Sequence, residues 1–570
     1  MGSVRSWEEI AADKRSLRDR AIQPYTVSDL DQQPPRVHNV HERSRIDDLV
    51  SQEITDIPSV PALLAQLRSG KYTAEQVTLA YIKRAVVAHQ LTNAITETVF
   101  EQALSQARAL DHHLQKIGEL HGPLHGIPVT VKDQFNVKGV DTTLGYVGRS
   151  FSPATEDAVI VRILKDMGAV VICKTNLPQT LLWAETENPL WGRTVNPRNP
   201  DFIPGGSSGG EGALLALHGS ILGLGSDIGG SIRIPGSMNG VYAFKPTVSS
   251  ASVDYLLQSY LQGVAAAYPS QSSRFPAIGA PGPMEGQEHV HFAFGPMARD
   301  MESLSYISRL VAGSEPWEQD PKCAPLPWNE AVFQEVQTRP LVIGLINDDG
   351  VVRVHPPIER TLRDLATKLK EQGHEVIPWD TSDHLECAQL MDKYYVADGF
   401  EDILRNINAA GEPMIPHVQA MADRAQGKAL PVYEYWQLNK KKAALRQAYL
   451  RKWTTARSPS GKPLDVLLGP TTAHTAVPHR KLRWVGYTKV WNLLDYPAIS
   501  FPVDQVRKEV DKKLDDYEPR NELDAWNWGL YDPNTMNGHP VSLQVIGKRL
   551  EEEKVLGAAT AIERVWRGEK

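Results

Sequence analysis

The sequence predicts an α/β protein, a mixed and twisted β-sheet with helices packed on both of its faces. Two observations carry this. Short β-branched runs recur along the chain, such as Val129-Thr130-Val131 and Val170-Val171-Ile172, and stretches with apolar residues at helical spacing lie between them. The runs are continuously apolar rather than alternating, which marks strands covered on both sides. Strands and helices that alternate in this way build a helix-flanked sheet.

The elements follow in order. Residues 1–60 read as an N-terminal helical arm, punctuated by Gln33-Pro34-Pro35. A helix is expected from Thr73, where Thr73 and Gln76 form a capping box and Val77, Ala80, Tyr81 and Ala85 recur at helical spacing. A second helix is predicted over 101–116. Gly126 to Asp133 is a β-branched run that ends on Lys132, and a helix over 158–167 leads into a buried strand over 168–175. Residues 210–217 suit a helix stopped by Gly219, and 221–224 a strand. Downstream, the strand 341–345, the helix 358–372 and the strand 375–378 make one β-α-β unit. Residues 385–455 are mostly helical, and late strands are expected over 464–468 and 541–546.

The chain has 570 residues, ample for a large core. The expected division is the arm, 1–60, and a single catalytic domain, 61–560, with its core motifs between 125 and 300. The formal net charge of −7 comes without a long basic run, which excludes nucleic acid as an expected partner. Cys173, Cys323 and Cys387 are too scattered for a disulfide framework and match no zinc spacing. The first 20 residues are charged and lack the apolar core of a signal peptide, and no apolar run is long enough to span a membrane. The cytoplasm is the expected compartment.

Two glycine-framed segments dominate the chain: Pro204-Gly205-Gly206-Ser207-Ser208-Gly209-Gly210-Glu211, and Gly225-Ser226-Asp227-Ile228-Gly229-Gly230-Ser231-Ile232-Arg233. Glycine this dense signals backbone in conformations that a Cβ forbids, or backbone pressed close to a ligand. Serines held in such turns, with backbone N–H groups nearby, supply the nucleophile and oxyanion site that acyl transfer needs. Ser231 is the candidate nucleophile, with a helix N-cap as the plainer alternative. Ser207 and Ser208 share the first loop. That loop is no phosphate-binding P-loop, since no lysine follows it, and neither serine sits in a GxSxG elbow. No histidine is placed to act as base: His218 follows Leu214, Leu215 and Leu217 and reads as structural. Lys132 remains, at the end of an apolar strand where burial would lower its pKa and free its amine to take a proton. A solvated strand-end lysine is the alternative.

These segments resemble the amidase signature family, serine hydrolases with a Ser–cis-Ser–Lys triad. Gly205 to Gly210, Gly225 to Pro235 and Gly126 to Asp133 are similar to its defining motifs. Supporting matches are Lys174-Thr175-Asn176, Gly192-Arg193-Thr194, Phe244-Lys245-Pro246, Gly295-Pro296-Met297 and Gly538-His539-Pro540. They follow one another in family order over roughly residues 60–550. The opening Ser6 to Arg15 and the stretch Met284 to Glu288 resemble fungal acetamidase-type members more narrowly.

The resemblance implies Ser231 as nucleophile, Ser207 as the bridging serine after a cis peptide bond, and Lys132 as base. It implies oxyanion and substrate contacts at Ile228, Gly229, Gly230 and Ser231, and a substrate-facing backbone at Leu181 near Trp183. Supporting hydrogen bonds are expected at Ser208, Asp227 and Arg233. The implied activity is hydrolysis of carboxylic amides through an acyl-enzyme, without metal or cofactor. Carbamates and esters are alternative substrates on the same triad. An amidotransferase subunit, or a binding protein on the same scaffold, are the rivals. The implied partner is a small-molecule amide or carbamate, and a homodimer is left open. The chain departs from the family over 248–283, where about 20 additional residues suggest a lid over the entrance or a surface insertion.

Overall fold

The computed structural model describes residues 5–28, 30, 40–248 and 273–569. Among the described residues thirteen strands are present: β1 Ile95–Thr98, β2 Pro128–Lys132, β3 Val170–Thr175, β4 Glu187–Asn188, β5 Gly192–Arg193, β6 Leu222–Asp227, β7 Tyr242–Lys245, β8 Ala293–Ala298, β9 Val342–Leu345, β10 Glu375–Pro378, β11 Val466–Pro470, β12 Ala498–Gln505 and β13 Pro540–Ile546. Eleven form one sheet in the order β1-β3-β2-β6-β8-β7-β12-β13-β11-β9-β10, and β4 pairs with β5 as a separate ribbon.

The sheet is mixed and helix-flanked, as the sequence predicts. Strands β3, β2 and β6 run parallel, as do β11, β9 and β10. Between these wings the pairings β6–β8, β8–β7, β7–β12, β12–β13 and β13–β11 are antiparallel. Strands β2, β3, β6, β11 and β13 are buried along their whole length, which explains their continuous apolar runs. The helix Ala74–Thr92 begins with the predicted capping box at Thr73 and Gln76, and Asn93 ends it in a left-handed conformation. The 385–455 region resolves into four helices, His384–Tyr394, Glu401–Asn408, Pro416–Ala425 and Val432–Thr455.

Strands β1, β7, β8 and β12 have no counterpart in the sequence reading. β8 contains Gly295 and Pro296 and β7 is only four residues long, so neither carries a local strand signal. Their strand character comes from the neighbours they pair with.

Near the N-terminus, the helix Trp7–Ile22 is fastened to the sheet. Lys14 bridges Glu97 and Asp141, and the Arg18 guanidinium donates to the Ile95 carbonyl at 3.2 Å. All three cysteines are buried and free. Among the described residues no helix is long and apolar enough to cross a membrane. Most of the stretch considered as a lid, residues 249–272, lies outside the described residues.

Candidate active site

β2 delivers Lys132 to the interior. Its Nζ donates to Ser207 Oγ at 2.6 Å and to Ser226 Oγ at 2.8 Å, and the side chain is wholly buried. Desolvation lowers its pKa to about 7, against the opposing pull of Asp227 and Glu211. A large fraction of this amine is therefore unprotonated at neutral pH, unlike an ordinary lysine.

Ser207 follows a cis peptide bond with Gly206. A Cβ on Gly206 would lie 2.5 Å from the Glu185 carbonyl oxygen, so the turn admits no side chain there. Ser208 occupies the N-cap position of the helix Gly209–Ala216, and its N–H donates to the Ser231 carbonyl at 3.1 Å. That bond sets the two serine turns side by side. Ser208 Oγ lies near the Ser226 backbone at 3.4–3.5 Å.

From the same helix, Glu211 points under β2. It accepts from Thr130 Oγ1 at 2.6 Å and Thr175 Oγ1 at 2.8 Å. Burial pushes its pKa up to about 8, with the Thr130 and Thr175 hydroxyls and the Lys132 amine opposing.

β6 ends at Asp227, and the chain turns through Ile228, Gly229 and Gly230 to Ser231 before the short helix Arg233–Asn239. Ser231 is therefore outside the cap position of that helix, which Ile232 takes. Asp227 accepts from Arg233 at 2.9 and 3.1 Å and from Asn492 Nδ2 at 2.9 Å. Burial alone would raise the Asp227 pKa, but the guanidinium beside it holds it down to about 2. Arg233 is held in turn by the Thr488 carbonyl and by Asn492 Oδ1.

Three consecutive carbonyls of this turn are each tied by a side chain from elsewhere. Asn492 Nδ2 donates to Asp227 O at 3.0 Å, the Tyr395 hydroxyl to Ile228 O at 3.2 Å, and Thr488 Oγ1 to Gly229 O at 2.7 Å. Fixing a carbonyl fixes the direction of the next N–H, because the peptide unit is planar. The Gly230 N–H, expected to face an oxyanion, donates instead to Asp227 Oδ1 at 2.7 Å. The buried carboxylate is the stronger acceptor and draws it. Among the described residues no acceptor is present for the N–H groups of Gly229 and Ser231. Gly230 has φ 129°, and a Cβ there would lie 2.2 Å from Thr488 Oγ1.

Ser231 is 8% exposed and opens on a cavity of about 500 Å³. Leu181, Leu182, Trp183, Ile228, Ile234, Tyr395, Met421, Trp484 and Val485 make its walls largely apolar. Leu181 has a left-handed backbone, φ 64°, and its N–H donates to the Pro178 carbonyl. Trp183 stacks on His417 at 4.7 Å between ring centres, and among the described residues no partner is present for His417 Nε2. Among the described residues no cluster of three or more His, Cys, Asp or Glu side chains could hold a metal ion.

The structure thus brings Lys132, Ser207, Ser208, Asp227, Ile228, Gly229, Gly230, Ser231, Arg233 and Leu181 into one region. His218 lies elsewhere, bonded to Asp56 and stacked on His41. Sequence reasoning missed Ser226, Tyr395, Thr488 and Asn492. Ser226 stands inside the second glycine-rich segment, next to Asp227, and that position was its one signal. The other three come from distant segments with no motif of their own.

Comparison with known proteins shows the family. The Amidase family matches residues 76–556. Amidase 1 of Gibberella moniliformis is 48% identical over 562 residues, covering 98% of this chain and 99% of that protein. An acetamidase of Aspergillus oryzae is 38% identical over 558 residues, covering 97% of this chain and 98% of the relative. The solved structure of a fatty acid amide hydrolase superposes with a TM-score of 0.86 at 30% identity, over 98% of this chain and 94% of that one. The chain belongs to the amidase family and is a hydrolase acting on amides.

Proposed function

We propose that this protein hydrolyses amides of apolar carboxylic acids through an ester on Ser231, with Ser207 and Lys132 as its proton relay. The observation that carries the reading is the 2.6 Å contact between a buried Lys132 amine and Ser207 Oγ. A lysine with its pKa lowered to about 7 can accept a proton near neutral pH.

In the proposed cycle Lys132 takes the Ser207 proton, Ser207 takes the Ser231 proton, and Ser231 Oγ attacks the amide carbonyl. The N–H groups of Gly229 and Ser231 receive the oxyanion. When the C–N bond breaks, the relay runs backwards and delivers the proton to the departing nitrogen. An amine is a poor leaving group without that proton, so its return matters as much as its removal. Water then enters by the same route, gives a proton to the relay and releases the acid.

Relatives of this chain include proteins named acetamidase, and a similar fold carries the name fatty acid amide hydrolase. A cavity of about 500 Å³ with apolar walls has far more space than an acetyl group fills. It supports acyl groups of medium length or with one aromatic ring, whose burial contributes about 0.8 kcal/mol per methylene. The test is kcat/KM across acetamide, hexanamide, phenylacetamide, a long-chain amide, ethyl carbamate and a phenyl ester, each with and without hydroxylamine. Hydroxamates from hexanamide or phenylacetamide, at rates above that for acetamide, are expected. A preference for acetamide would overturn the substrate assignment, and hydrolysis without any hydroxamate would overturn the acyl-enzyme.

A further inference from the structure

The cavity that opens on Ser231 is apolar where it is buried and cationic where it meets solvent. Its exposed lining includes Arg424 and Arg483. Among the neighbouring basic side chains, Lys481 lies 5.6 Å from the Trp526 ring centre with no carboxylate partner among the described residues, and three others have one. Lys489 pairs with Asp392 at 2.6 Å, Arg480 with Glu187 at 2.8 Å, and His479 contacts Glu185. Arg424 and Arg483 form no ion pair or hydrogen bond among the described residues. In a chain of net charge −7, two uncompensated arginines at one mouth make a local positive field.

Both arginines are also placed. The Arg483 guanidinium lies 3.4 Å above the centre of the Trp526 ring, and Trp526 Nε1 is itself held by the Lys481 carbonyl at 2.8 Å. A guanidinium stacked by its face keeps its in-plane N–H groups free at the edge, the arrangement that receives a carboxylate. Arg424 stands on the helix Pro416–Ala425, where His417, Ala420, Met421 and Arg424 all line the cavity. That spacing is one helical face, and it spans about 10 Å from His417 to Arg424 at the usual rise per residue.

We propose, building on the amidase reading, that the substrate is an amide with a carboxylate remote from the scissile bond, which Arg424 and Arg483 receive at the mouth. The apolar walls would hold the body of the molecule while Ser231 meets its carbonyl. A carboxylate so placed stays partly hydrated, so the expected gain is moderate and sensitive to salt.

The test uses two matched pairs with the full-length protein. The first carries the charge on the acyl side: 5-carboxypentanamide against 6-oxoheptanamide, where a methyl ketone replaces the carboxylate. The second carries it on the amine side: N-hexanoylglycine against N-hexanoylglycinamide, followed by release of hexanoate. In one pair the anionic member should be preferred about tenfold in kcat/KM at low salt, the lower range of electrostatic focusing. The preference should fade at high salt and in the Arg424→Gln/Arg483→Gln variant, and partly return with lysine at both positions. Neutral members equal or better in both pairs, or a preference that survives the glutamine substitutions, would overturn the proposal. If no member is turned over while Ser231 still reacts with a fluorophosphonate, this proposal fails and the amidase reading stands. If labelling fails as well, the amidase reading fails with it.

Discussion

Thr488 Oγ1 donates to the Gly229 carbonyl at 2.7 Å, across 259 residues of sequence. Together with the Tyr395 hydroxyl on the Ile228 carbonyl, it holds the peptide planes beside Ser231 from outside the signature motifs. Tyr395 would act on the proposed Gly229 donor through the peptide plane it shares with the Ile228 carbonyl, and Thr488 on the next plane, which leads into Ser231. Thr488→Val and Tyr395→Phe should each lower kcat about tenfold with little change in KM, less than the 10²–10³ lost when a direct donor is removed. Thr488→Ser keeps the hydroxyl and should recover most of the rate. Equal losses for the valine and serine variants would mean that packing, rather than the hydrogen bond, is what matters.

As the proposed base, Lys132 should set the acid side of the pH profile. Its pKa is lowered to about 7 by desolvation, so below that pH the amine is protonated and can accept nothing. Activity should fall as pH drops through about 7 and level off above it. Lys132→Ala should cost about 10²–10⁴ in kcat, the usual range for losing a general base. A variant that keeps the wild-type acid limb would contradict this role.

Ser231→Ala should abolish turnover and covalent labelling by a fluorophosphonate while leaving the unfolding midpoint near the wild-type value, because the side chain opens on the cavity instead of packing in the core. Persistent labelling of this variant would identify another nucleophile.

Glu211 links stability to pH. Burial raises its pKa to about 8 from 4.5, with the Thr130 and Thr175 hydroxyls opposing. The folded state therefore holds a proton that the unfolded chain has lost between those values. Its contribution is complete below about pH 4.5 and declines as pH rises towards 8, by up to about 1.4 kcal/mol per pH unit. Glu211→Gln should flatten that decline, read as urea midpoints near pH 5 and near pH 8 against wild type. Parallel losses in the two proteins would show Glu211 to be ionised in the fold.

Asp227 and Arg233 form a wholly buried ion pair 2.9 Å apart. Arg233→Met should strand the carboxylate and cost about 3–5 kcal/mol, visible as a lower Tm together with lost activity. A variant with wild-type Tm and wild-type kcat would show that the pair is dispensable.

The sequence by itself determined the sheet class, the buried strands β2, β3, β6, β9, β11 and β13, and the family. Each of those strands is a run that only burial on two faces explains, and the glycines around Ser207 and Ser231 stand where a Cβ has no room. The reaction class was legible for the same reason: backbone geometry at a nucleophile constrains adjacent residues, and adjacency is what a sequence records. Tertiary structure alone decided the rest. β7, β8 and β12 are strands because of what they lie beside, and Pro296 would argue against β8 on local grounds. The lowered pKa of Lys132 follows from its burial, which the run Val129-Thr130-Val131 suggested but could not fix. Tyr395, Thr488 and Asn492 reach the turn at Ser231 from segments more than 160 residues away. A hydrogen bond needs two atoms within about 3 Å, and over such separations only the folded chain decides which atoms those are.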